Sequence, residues 1–213
     1  SLGSFGKAKE LQQRILFTIG ILIVYRIGTF IPIPGVDPVQ YAAMFQGQSG
    51  IIDWFNVIGG GAVERMAIFA LNVMPYISAS IIMQLMTATV PSLEKLKKDG
   101  GEAGRKQINQ YSRYLTVLLA TGQAAAIAIG MNTVNADGNS LALDPGPIFL
   151  TSTIVTLVGG TMLLLWLGEQ VTARGVGNGI SLIIFAGIIA AVPGILGGAL
   201  QSAEANSNFM PML

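Results

Sequence analysis

The chain has 213 residues, 52% of them hydrophobic and only 11% charged, with a formal net charge of +1. Soluble domains carry about 25% charged residues, so an ordinary water-facing globular surface is excluded and the composition points to an integral membrane protein. There is no cysteine and no histidine, which excludes disulfide frameworks and the usual zinc ligands, and removes the commonest general base; no catalytic residue, cofactor or metal site is expected.

The first apolar segment, about 15–33, has the roughly 20 residues that a bilayer-spanning helix needs. It runs into Phe30-Ile31-Pro32-Ile33-Pro34-Gly35 instead of a small-residue cleavage site, so it reads as a retained span and not as a cleaved leader. Arg26 lies deep within it, and either snorkels to the interface or pairs inside the protein. Residues 51–65 are too short to span, apolar on both sides of Asp53 and loosened by Gly59, Gly60 and Gly61. They fit a re-entrant half-helix buried in protein or lining a cavity, or an interfacial helix lying flat on the membrane.

The second span, 67–90, carries Asn72, Pro75, Ser78, Ser80 and Gln84. So many polar groups require a face turned to protein or water, and Pro75 is expected to kink the helix. Val73, Ile77, Ile81 and Gln84 fall at helical spacing on a similar face, with Ser78 one residue round. This describes a channel wall with an apolar constriction, or equally a helix packed on its neighbours through Ser78, Ala79 and Ser80. Three more segments, about 115–131, 148–167 and 179–200, complete five spans. Between the last two, the glycine-rich stretch 167–181 lacks the Lys-Ser/Thr of a phosphate loop and has no strand–helix context. Asn178 is expected to cap the helix that follows.

Charge orients the spans. Lys7, Lys9, Arg14, Lys95, Lys97, Lys98, Arg105, Lys106, Arg113 and Arg174 all fall in connections on one side, leaving only Arg26 and Arg65 of the twelve basic residues elsewhere. The positive-inside rule then places the N-terminus in the cytoplasm and residue 213 outside. The basic loop 95–113 is mainly this topology signal, or a dock for an acidic partner or ribosomal RNA. Starting at Ser1 without methionine and stopping soon after an apolar segment, the sequence reads as a fragment. Five spans are compatible with a second, inverted set of five meeting the first at a midplane site.

Several runs carry a specific resemblance: Tyr25-Arg26-Ile27-Gly28-Thr29 into Phe30-Ile31-Pro32-Ile33-Pro34-Gly35, Gly60-Gly61-Ala62 with Arg65, Ile68-Phe69-Ala70, Met74-Pro75-Tyr76-Ile77-Ser78-Ala79-Ser80-Ile81-Ile82, Gln110-Tyr111-Ser112-Arg113-Tyr114, Leu165-Trp166-Leu167-Gly168-Glu169-Gln170, and Arg174-Gly175-Val176-Gly177-Asn178-Gly179-Ile180-Ser181. Spread over nearly the whole chain, they resemble the N-terminal half of the bacterial SecY family, the channel subunits of the general protein-secretion translocon. The resemblance implies an all-α membrane fold, five transmembrane helices plus a short re-entrant plug, forming one half of a ten-helix pseudo-two-fold inverted-repeat channel in the bacterial inner membrane. It implies that Val73, Ile77, Ile180 and Ile184 supply this half's share of a hydrophobic pore ring. The plug would be 51–65, with Ile51, Ile52, Trp54, Phe55, Gly59, Gly60, Gly61 and Arg65, and Ser78, Ile81 and Gln84 would belong to a lateral gate. Partners implied are SecE-like and SecG-like small subunits, the SecA motor ATPase, the ribosome, signal peptides, translocating polypeptides and membrane lipids. Without the resemblance, a small-solute or ion transporter and a conduction-free membrane scaffold remain as alternatives. The first needs ionisable groups at midplane, and the second tolerates charge at the four ring positions.

Overall fold

A computed structural model describes residues 8–45, 61, 66–132 and 141–209. Of the expected plug residues only Gly61 falls among these; Ile51, Ile52, Trp54, Phe55, Gly59, Gly60 and Arg65 lie outside the described residues. The described residues form the helices α1 (Lys9–Gly28), α2 (Pro38–Phe45), α3 (Met74–Thr89), α4 (Pro91–Asp99), α5 (Gly101–Asn132), α6 (Pro147–Arg174) and α7 (Gly179–Phe209). Four of them, α1, α5, α6 and α7, are long and apolar enough to cross a membrane, and α3 with α4, bent by 97° at their junction, brings the number to as many as five. The fold is all-helical, and the chain is a multi-pass membrane protein.

The helix ends differ from the sequence expectation in informative ways. The first helix stops at Gly28, so Arg26 sits in its last turn rather than deep within a span, its guanidinium 5.2 Å from the centre of the Phe30 ring. There it makes the cation–π contact open to an amphipathic cation near a helix end. The second span is not one helix over 67–90. Residues 66–73 run through turns, with Met66 (φ +46°) and Asn72 (φ +52°) in the left-handed region. Helix α3 starts only at Met74, and Pro75 does not kink it: it occupies the first turn, where a missing N–H costs nothing. Sixteen residues rise about 24 Å, less than the ~30 Å hydrocarbon core, so the turns supply the rest of the path. The basic stretch 95–113 is mostly helical, divided between α4 and the beginning of α5.

The two ends of the bundle are tied by different means. At the end carrying Ile31–33, the chain is extended and pairs with two other segments through the backbone. The Ile33 N–H donates to the Met66 carbonyl (3.0 Å) and the Ile68 N–H to the Ile31 carbonyl (3.0 Å) on one side. On the other, the Asp37 N–H donates to the Leu141 carbonyl (2.9 Å) and the Leu143 N–H to the Gly35 carbonyl (2.8 Å). Asp37 then caps α2, its Oδ1 accepting from the Val39 and Gln40 N–H groups (2.9 and 3.3 Å) ahead of Pro38. Tyr41 packs into this end, and burial pushes its phenol up to about 12, so it stays neutral.

The opposite, basic end is tied by side chains. Thr18 Oγ1 on α1 accepts from the Val176 N–H (3.1 Å), and Arg14 donates to the Gly175 carbonyl (3.4 Å), fastening the α6–α7 turn to α1. Asn178 Oδ1 accepts from the Ile180 and Ser181 N–H groups (3.1 and 3.3 Å), the cap expected from the sequence. Between the ends, α5 presents Ser112, Thr116, Ala120, Ala124 and Ala128 as a buried stripe at every fourth residue. Small residues at this spacing let backbones approach where lipid offers no hydrophobic drive to association, and α5 packs chiefly on α6 and α3.

Candidate functional site

The four expected ring residues come from the beginnings of α3 and α7, and what places them is a pair of glycine contacts. Phe69, in the turns before α3, lies against Gly28 of α1, where any Cβ would collide with its ring, and stacks on Tyr25 with ring centroids 5.9 Å apart and planes at 19°. One residue earlier, the Ile68 carbonyl lies against Gly160 of α6, again where a Cβ would collide. The segment 67–69 is thus threaded through a slot between Gly28 and Gly160, and this fixes where α3 begins. A second crossing sets α7: Gly179 lies directly on the Gly168 carbonyl of α6, and Ile180 lies over Gly168 itself. Thr172 Oγ1 accepts from the Gly179 N–H (2.9 Å) across this crossing.

These crossings bring Val73, Ile77, Ile180 and Ile184 into one apolar cluster, together with Tyr25, Phe69, Leu164 and Ile183. Val73 is fully buried, whereas Ile77, Ile180 and Ile184 each keep part of their surface open. The buried stripe of α3 is Pro75, Ala79, Met83 and Thr87. At about 100° per residue, Ile77, Ile81 and Gln84 lie on the reverse side of the helix from that stripe. Of the face read from the sequence, Ile77, Ile81 and Gln84 share a side that the described helices leave largely uncovered, Ile81 being 52% exposed and Gln84 exposed, whereas Val73 precedes the helix and is fully buried and Ser78 is half-buried.

Beside that face, α3, α4 and α5 enclose a groove of about 850 Å³ opening at the basic end. Gln84 lines it, with Ser80 and Thr87 from α3, Lys97 from α4, and Arg105 and Asn109 from α5; Ser78 and Ile81 do not. Of the three expected gate residues, Gln84 borders both the groove and the open face, Ile81 lies on the open face alone, and Ser78 is half-buried outside the groove. Among the described residues, charged groups pair at the basic end: Glu94 with Lys98 one turn on, and Arg113 with Glu169 at 2.6 Å across α5 and α6. Sequence reading missed the Gly28–Gly160 slot and the Arg113–Glu169 pair. The second joins positions 56 apart, beyond any local pattern, but Gly160 and Gly168 share a face of α6 and could have flagged two close crossings.

The SecY family model matches residues 67–213 of this chain. The protein translocase subunit SecY of Escherichia coli strain K12 is 50% identical over 211 residues, covering 98% of this chain and 47% of that protein. The corresponding subunit of Buchnera aphidicola is 52% identical over 201 residues, 93% of this chain and 56% of that protein, and that of Vibrio cholerae 52% over 197 residues, 92% and 43%. The chain spans about half the length of the curated relatives it matches. Among solved structures, Sec61 in a canine ribosome–channel complex from the endoplasmic reticulum is similar in fold, with a TM-score of 0.57 at 20% identity over 83% of this chain and 36% of the other. A structure described as a protein conducting channel is similar with the same scores.

Proposed function

This chain belongs to the SecY family, and on that premise we propose that it forms one half of a protein-conducting channel that moves unfolded polypeptides across the bacterial inner membrane and releases apolar segments sideways into lipid. It works without catalysis of its own, and the N-terminus and basic end face the cytoplasm. The reading is carried by one observation: branched apolar side chains from the starts of α3 and α7 meet in a single cluster that remains partly open. Such side chains close around a moving chain, exclude ions by dewetting and offer it no polar contact to hold it. Ile77, Ile180 and Ile184 present that surface, with the fully buried Val73 packed in the same cluster, and a plug at 51–65 would close the ring from outside.

The polar Gln84 and Ser78 beside the exposed Ile81 suit a gate that an apolar signal helix displaces more readily than water does. SecE-like and SecG-like subunits, a signal peptide, and the ribosome or a SecA-type motor are the partners of this reading, and the basic residues of α4 and α5 suit an anionic surface. The test is ionic conductance across planar bilayers of the full chain with its partner subunits. Ile77→Asp and Ile184→Asp are expected to raise the resting leak severalfold, because a charge in a dewetted ring holds water there. An unchanged leak in both variants sinks the channel reading and leaves the scaffold.

A further inference from the structure

We propose that α5 is a lever, hinged at Asn132 and latched at Arg113–Glu169, and that this ion pair sets how far α5, with α3 and α4 attached, stands from α6. The hinge is at the end away from the basic residues, where the Gly146 N–H donates to Asn132 Oδ1 (2.9 Å) and joins the last residue of α5 to the beginning of α6. The latch lies 19 residues back along α5, about 28 Å of helix. Between them the interface is smooth. Ser112 and Thr116 on α5 and Thr156 on α6 donate to carbonyls one turn back in their own helices, and the buried Thr153 and Thr161 hydroxyls of α6 have no hydrogen-bond partner among the described residues, so these hydroxyls hold nothing across the gap. Ala120, Ala124 and Ala128 offer only close contact. A bundle of this kind is held by shape and slides without breaking a row of interhelical hydrogen bonds.

Against that background a cross-helix ion pair has a large mechanical advantage. Arg113 Nη2 donates to Glu169 Oε1 at 2.6 Å, with side chains 51% and 35% exposed. Two other pairs among the described residues, Arg14–Glu10 and Lys98–Glu94, each lie within one helix. Beyond the latch, α5 carries the α3–α4 elbow rigidly: the Leu96 carbonyl of α4 lies against Gly100 and Gly104, where a Cβ would collide. Releasing Arg113 from Glu169 therefore swings α4 and the first turns of α5 about Asn132, and α3 follows from its α4 end, its beginning being held at the Gly28–Gly160 slot. Arg113 and Glu169 are positioning residues: neither lines the groove bearing Gln84, yet both set where that groove stands. The functional consequence rests on the reading of the α3 residues Ser78, Ile81 and Gln84 as part of a gate.

The experiment places spin labels at Lys106 on α5 and Ala173 on α6, both exposed, in the full chain with its partner subunits in liposomes. Arg113→Gln and Glu169→Gln are each expected to raise the population of a longer label separation about two- to fivefold, the range for a half-exposed pair. The exchanged double variant R113E/E169R is expected to restore the parent distribution. Raising the salt on the labelled parent screens the pair and is expected to give the same shift with Arg113 and Glu169 intact, which covers single variants that fail to fold. Distances unchanged by either single variant and by salt, or not restored by the exchange, overturn the lever. Insertion of a marginally apolar segment is followed in the same liposomes. If distances shift while insertion does not, the lever stands and the gate reading fails.

Discussion

The two ends of this bundle solve the same problem with different parts of the chain. Away from the basic residues, three segments are joined by backbone N–H and C=O groups, Ile33 to Met66, Ile68 to Ile31 and Leu143 to Gly35, with a side-chain tie, Asn132 Oδ1 accepting from the Gly146 N–H. At the basic end the ties are Thr18 to Val176, Asn178 to its own helix, and Arg113 to Glu169. Backbone ties are indifferent to which side chain is attached and sensitive only to loss of the donor or of the extended geometry. Side-chain ties are written residue by residue, and each can be removed singly. The first end is built to stay assembled, and the second to be adjusted.

Substitutions at three positions sharpen this contrast, followed as the temperature at which the full chain loses monodispersity in detergent. The largest effect is expected from Gly179→Val, because its Cβ has no room against the Gly168 carbonyl and α6 and α7 must separate; about 3 kcal/mol is the expected loss, as for overpacking against backbone. At the other end, Leu143→Pro removes the N–H given to Gly35 and is expected to cost about 2 kcal/mol. Leu143→Ala keeps that bond and, since Leu143 is 65% exposed, should stay within about 0.5 kcal/mol of the parent. Equal effects of the two Leu143 variants would mean that side chains, not backbone, hold this end as well. A smaller loss than for Gly179→Val or Leu143→Pro is expected from Asn178→Ala, about 1 kcal/mol for a lost N-cap, with Asn178→Asp retaining most of the stability. No response at Asn178 would show that the α6–α7 turn is held by Thr18 and Arg14 alone.

How far the fold could be read in advance varied with the range of the interaction that decided each feature. Membrane character and the apolar spans now in α1, α5, α6 and α7 follow from long apolar runs, which report burial or lipid contact directly. The Asn178 cap was readable because capping is settled within three residues. The α3 face bearing Ile77, Ile81 and Gln84 was readable from spacing alone, although not whether it packs or stands open. In contrast, Pro75 is ambiguous in isolation: the same residue kinks a helix in its interior and opens one at its first turn. The charged stretch 95–113 gave no apolar period from which to read its helices.

The amino-acid sequence by itself determined that this is a membrane protein, where most of its spans run, which end collects positive charge, and the family resemblance. Each of these is a sum over many residues or a long ordered match, and so survives ignorance of any single contact. Only the tertiary structure decided that α3 begins at Met74, that Arg26 lies at a helix end, that Val73, Ile77, Ile180 and Ile184 share one cluster, and that Arg113 meets Glu169. The reason is steric and non-local. Glycines at 28, 160, 168 and 179 remove single side chains where segments far apart in the chain cross, and such an absence has meaning only once the partner backbone is in place.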